Sequence, residues 1–123
     1  MSFHGDDLEP DALTAALNCQ PSRTTRKGDP QNSERVWRTG SWLLRTDTSC
    51  DGDLDNQITT LLDLCTSDLA VWSHLCSRYK GRLFCGLFLS NDNQGLSLEA
   101  HTLARIGTRG LRLDLDIYGA ETP

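Results

Sequence analysis

Most of the usual signs of activity are missing from this chain, and each absence removes a class of function. No apolar run approaches the roughly 20 residues needed to span a bilayer, and the opening MSFHGDDLEP has neither the basic region nor the apolar stretch of a signal peptide. Basic residues are in deficit: 12 Lys and Arg against 17 Asp and Glu leave a formal charge of −5, which argues against general affinity for nucleic acid or anionic membrane. The five cysteines (Cys19, Cys50, Cys65, Cys76, Cys85) form no CxxC pair; an odd, scattered set reads as reduced thiols, several in the core, and makes the cytoplasm the expected compartment. His4, His74 and His101 fall in no HExxH or other helical metal pair, and there is no GxSxG elbow and no GxxxxGK[ST] phosphate loop. No catalytic residue, metal site or cofactor is therefore assigned.

What remains is a chain of 123 residues, 37% hydrophobic and 24% charged, suited to one domain with one core. LEPDALTAAL predicts a first helix, with Glu9 as N-cap, Pro10 in the first helical position, Leu8 and Leu13 as a hydrophobic staple, and an end near Asn18. The polar stretch PSRTTRKGDPQNSER reads as a loop, and 36–45 as one strand or a tight hairpin about Gly40. Helical spacing returns at Leu54, Ile58, Leu61, Leu62 and Cys65, then at Leu69, Trp72, Leu75 and Cys76, with a break near Thr66–Ser67 where Ser67 can cap the second segment. LFCGLFL (83–89) has the length and apolarity of a central strand. LEAHTLARI reads as a short helix between a Ser97 cap and a left-handed Gly107, and LRLDLDIY alternates as a half-buried strand. Helices and short strands mixed without a βαβ rhythm predict an α+β fold: a largely antiparallel sheet of about four to five strands packed with three to four short helices.

The order of landmarks is itself informative. GDDLEPDALTAAL, Pro21, RKGDP, Trp42, an acidic helix, GLSLEAHTLARIG and a closing LDIYG resemble, over nearly the whole chain, a bacterial family known as domain of unknown function 4279. The resemblance implies an α+β fold and brings no established catalytic or binding residues. It also implies a full strand ahead of the GDD segment, where this chain has only Met1–His4, so either a very short edge strand or a natural start further upstream is expected.

Several motifs invite a chemical reading. From Asp47, DTSCDGDLDNQI imitates a calcium loop with Asp47, Ser49, Asp51, Gly52 and Asp55 in register, but Ile58 occupies the twelfth position, where a bidentate Glu belongs. Aspartates just before Leu54 are better explained as helix caps. KGRLFCGL resembles an RNA-binding strand at Lys80, Gly81 and Phe84, yet Arg82 and Leu87 stand where aromatic residues should stack bases. Asp114 and Asp116 share a strand face as a conceivable carboxylate pair, although exposed carboxylates are more often solvated than catalytic.

Two surfaces are left. Residues 47–77 hold six aspartates and no Lys or Arg, while Phe84, Gly86 and Phe88 lie on the strand face opposite Leu83, Cys85, Leu87 and Leu89 and need a cover, from the 22–35 loop, a second subunit or another protein. Asp51, Asp53, Asp55, Phe84 and Phe88 are thus candidate partner-binding residues of a non-catalytic interaction module of inhibitor or immunity type, its partner another protein or a second copy. The alternative is anion or nucleic-acid binding by the basic 22–45 segment, through Arg23, Arg26, Lys27, Arg35 and Arg38 with Trp37 and Trp42. An enzyme, the third reading, would need a pocket joining a His or carboxylate to polar groups from separate elements.

Overall fold

The computed structural model describes residues 1–46 and 53–121. Its centre is a five-stranded sheet formed by β1 (Ser2–Gly5), β2 (Arg23–Thr25), β3 (Gly40–Leu43), β4 (Lys80–Phe88) and β5 (Arg112–Tyr118), in the spatial order β2-β3-β1-β4-β5. Neighbours are antiparallel except β4 and β5, which run parallel and are joined through a helix. With its four helices the molecule is an α+β fold of the expected kind.

The strand ahead of GDD is short, as expected, but it is no edge. Ser2–Gly5 lies between β3 and β4, pairing Phe3 with Trp42 on one side and with Gly81 on the other. Phe3 explains the placement: its ring is wholly buried, with centroids 6.2 Å from both Trp42 and Trp72. An aromatic residue in a four-residue strand can be enclosed to that degree only where the sheet continues on both sides.

Helix α1 (Pro10–Leu17) begins and ends as its sequence indicates: Glu9 is the N-cap residue, Leu8 and Leu13 are both buried, and Asn18 closes it in the left-handed conformation at φ 54°. It packs on β3, where the Trp42 indole N–H donates to the Thr14 hydroxyl at 3.1 Å. Helix α2 (Leu54–Asp63) buries Leu54, Ile58, Leu61 and Leu62. Helix α3 (Leu69–Arg78) is capped by Asp68, not Ser67; the Asp68 carboxylate receives the Ala70 N–H at 3.0 Å, while the Thr66 hydroxyl receives the Asp68 N–H. Ser67 stands one residue too early to reach those donors.

Helix α4 (Ala100–Arg109) also differs from expectation at both ends. Glu99 replaces Ser97 as N-cap residue, and Gly107 is helical because the buried stripe continues through Ile106 to Arg109; Gly110 takes the left-handed turn at φ 80°. The segment read as loop contributes an edge strand, β2, fixed by a 2.7 Å hydrogen bond between the Thr25 and Ser41 hydroxyls. In 36–45 only Gly40–Leu43 is strand. Val36 instead bridges Pro30, and the Trp37 N–H donates to the Asp29 carbonyl, folding the connection back on itself.

Helix α1 packs on β3, α3 on β4 and α4 on β5, burying Trp42, Leu83 and Leu111 beneath them. The opposite face has no helix on it among the described residues, and that one-sidedness creates the site described next.

Candidate functional site

Side chains alternate along a strand, so the buried position of Leu83 sends Phe84 and Phe88 to the uncovered face. They are 52% and 77% exposed. The parallel register sets Phe84 beside Asp114, Gly86 beside Asp116 and Phe88 beside Tyr118. The last two rings stack, 4.7 Å apart and within 6° of coplanar. The Arg82 guanidinium sits 5.3 Å from the Phe84 ring centre and bonds Asp114 at 3.1 Å, and Arg112 takes the same carboxylate at 3.0 Å. Arg112 first, then Arg82, hold the Asp114 carboxyl below its ordinary range. The Tyr118 hydroxyl donates to Asp116 at 2.6 Å, and that carboxylate pushes its pKa up.

The same face continues across the sheet. By register and alternation it carries Lys80 of β4, His4 of β1, Ser41 of β3, and Thr25 and Arg23 of β2, with Arg23 packed 5.2 Å from the half-buried Trp37 ring. Burial, then Arg82, holds His4 below its ordinary pKa and so favours neutral imidazole. Arg23, Lys80, Arg82 and Arg112 against Asp114 and Asp116 make this face net positive on a chain whose total is −5. The acidic residues gather elsewhere: Asp6, Asp7, Glu9 and Asp11 at the start of α1, and Asp53, Asp55, Asp63 and Asp68 about the other helices.

Two recesses open here. A groove of about 540 Å³ runs beside β4, between Leu43–Thr46 and Leu54, Ile58 and Leu61 of α2; Arg23, Arg45, Arg82 and His4 line it, and among the described residues no carboxylate does. A second, of about 490 Å³, lies where α3 and α4 end and holds His4, Arg78, Lys80, Arg82 and Arg112. Arg78 is tied to Asp7 at 2.8 Å, and the bases here face the negative ends of two helix dipoles, which accounts for their gathering.

The residues singled out from sequence separate sharply. Asp51, like Asp47, Ser49 and Gly52 of the calcium-like stretch, lies outside the described residues. Asp53 caps α2 through the Asn56 N–H at 3.0 Å, and Asp55 receives the Glu99 N–H at 2.9 Å, which lowers its pKa. Both carboxylates thus hold helix starts, Asp53 exposed and Asp55 half-buried. Phe88 stacks on Tyr118, while Phe84 shares their face beside Arg82 and Asp114, and neither the 22–35 segment nor any other described residue covers these rings.

The basic set is also divided. Arg26 pairs with Glu9 and Asp11, at 3.4 and 3.2 Å, and Lys27 with Asp6 at 3.7 Å, so both serve the acidic start of α1. Arg35 and Arg38 are exposed on the connection. Trp42, expected as a stacking residue, is wholly buried with its indole N–H bonded, which leaves no ring face for a base. Only Arg23 and Trp37 reach the uncovered face. Tyr118, Arg45 and Arg82 were not singled out; Tyr118 sits in an alternating strand whose polar side was visible, but its partnership with Phe88 depends on a parallel register that only the fold supplies.

No helix among the described residues is long and apolar enough to cross a membrane. No curated protein and no solved structure matches the chain. The family described as "Domain of unknown function (DUF4279)" matches residues 1–120, and the chain belongs to that family.

Proposed function

We propose that the protein is a non-catalytic interaction module that binds another protein through its uncovered sheet face. One observation carries this reading: Phe88 stacked on Tyr118, with Phe84 further back on the same face of β4, leaves aromatic rings exposed on the side of the sheet opposite the core. Aromatic and Arg side chains at the centre of a patch are the residues that most often dominate binding energy. The surrounding cations steer an acidic partner, the reverse of the basic target implied by total charge. The free thiols Cys19, Cys65, Cys76 and Cys85 fit a reducing compartment such as a bacterial cytoplasm.

The test is affinity capture from a bacterial lysate treated with nuclease, comparing the native chain with Phe84→Ala/Phe88→Ala. Retention of a discrete protein by the native chain, lost in the double variant, is the expected result. A bare protein, or a partner held equally by both, sinks the reading. A second reading, anion or nucleic-acid binding, is favoured only by Arg23 against Trp37 on this face; it predicts that binding disappears with nuclease and falls steeply with salt.

A further inference from the structure

Strand β4 is longer than the strand that covers one of its edges. Pairing with β1 ends at Ser2 opposite Arg82, whereas β4 continues to Phe88. From Leu83 onward its β1-side edge has no strand partner among the described residues, over about 20 Å at the usual strand rise. The parity of that edge is fixed. The Leu89 N–H donates to the Tyr118 carbonyl at 3.0 Å, so alternation turns the backbone groups of Leu83, Cys85 and Leu87 toward β5 and those of Phe84, Gly86 and Phe88 away from it, toward the 540 Å³ groove.

We infer that this groove is a strand-addition site: an extended peptide segment of the protein partner, with acidic and apolar residues alternating, pairs antiparallel with residues 84–88 in line with β1. The inference rests on the interaction reading above and names its mode. Two features of the groove select the occupant. Antiparallel alignment continues the direction of β1 against β4 and keeps the sheet order regular. Successive side chains of the added strand would then point to opposite sides of the sheet, one set toward Leu54, Ile58 and Leu61 and the other toward Arg45, Arg82 and Arg23 on the uncovered face. Apolar residues match the first set and carboxylates the second. Basic or uniformly polar segments match neither.

The experiment begins with backbone amide exchange on the free chain. The Phe84, Gly86 and Phe88 amides should exchange at least about tenfold faster than those of Leu83, Cys85 and Leu87, as open edge groups do. If both sets are equally protected, the edge is already filled and the inference is overturned. Random heptapeptides displayed against the intact chain then supply the probe. Enrichment of alternating acidic–apolar sequences, whose binding drops tenfold or more when alternate peptide nitrogens are methylated and not when the intervening ones are, establishes strand addition. No enrichment, or binding indifferent to N-methyl position, refutes it. A lysate partner that needs Phe88 but ignores Arg45→Glu and leaves the three edge amides unprotected would keep the interaction reading and discard this mode of it.

Discussion

The Phe88 side chain gives the most direct check that the aromatic stack is free in solution. At 77% exposure it hides about a quarter of its surface, or roughly 50 Å² of the ~200 Å² typical of an aromatic side chain. At about 25 cal/mol per Å² that burial is worth about 1 kcal/mol, and the stack on Tyr118 adds about 0.5–1.5 kcal/mol. Phe88→Ala should therefore cost about 1.5–2.5 kcal/mol of folding stability. Phe3 is the internal standard: its ring is fully buried between two tryptophans, so Phe3→Ala should cost about 3–5 kcal/mol. Urea unfolding of both variants, at two protein concentrations tenfold apart, measures the contrast. In partner binding the order reverses, because truncating a central aromatic anchor costs about 2 kcal/mol or more, roughly 30-fold in affinity. A Phe88→Ala cost of 3 kcal/mol or above would mean that the ring is covered in the free protein. If that cost also changed with concentration, the cover would be a second copy of the chain.

Other consequences are simpler to read. A Cβ at Gly81 would stand 2.9 Å from the Phe3 ring and 3.1 Å from both Cys76 Sγ and Leu111 Cδ2, so Gly81→Ala should lower stability by about 1–3 kcal/mol through overpacking, visible as a reduced Tm. Asp53→Ala removes the α2 cap and should cost about 1 kcal/mol in urea unfolding, with Asp53→Asn close to native because the amide oxygen still accepts the Asn56 N–H. Acidification should lower stability through the side chains in two stages, added to the decline that the buried Met1 amino group, held below its ordinary 8.0, contributes. His4 has a depressed folded pKa, so the unfolded chain takes up its proton first, and stability declines as pH drops below the ordinary 6.5. Asp55 and Asp114 contribute stability above the ordinary 3.8 that is lost as pH falls through their lower folded values. Thermal melts at stepped pH on the native chain and His4→Gln separate the stages: only the variant should lack the first.

The fold was legible in sequence wherever local chemistry and burial coincide. LEPDALTAALN carries its own staple, proline and left-handed Asn, and helix α1 obeys all three. LFCGLFL could be placed as a strand of the sheet because an apolar run of that length, bounded by turn residues, has the form of one. Elements set by partners were not legible. Arg23–Thr25 has no strand pattern of its own and becomes β2 only because Ser41 offers its hydroxyl and β3 its edge. Gly107 was an attractive helix stop, but Ile106 and Arg109 bury the following turn and Gly110 terminates it instead. The candidate site divides the same way. Phe84 and Phe88 followed from alternation alone, whereas the stack on Tyr118, the retirement of Arg26 and Lys27 into ion pairs with α1, and the stretch of β4 edge without a strand partner among the described residues are all products of chain segments distant in sequence.

Charge shows why the total misdirects. The deficit of basic residues would repel an acidic partner if the charges were mixed evenly, but the carboxylates are drawn to helix starts, where the peptide dipole and unpaired N–H groups reward them. That demand concentrates negative charge in the helical layer, as Asp53 and Asp55 illustrate. The sheet has no such ends, and its uncovered face keeps the cations. At separations within a Debye length of about 8 Å the local sign governs contact, and the far helical layer contributes little there. An acidic strand arriving at β4 would therefore meet attraction from Arg23, Arg45 and Arg82 together with a backbone edge that has no strand partner among the described residues. A nucleic acid would meet the same cations, and its phosphate contacts would betray themselves by a steep loss of affinity with salt that a strand held by backbone hydrogen bonds and the apolar wall of Leu54, Ile58 and Leu61 should not show.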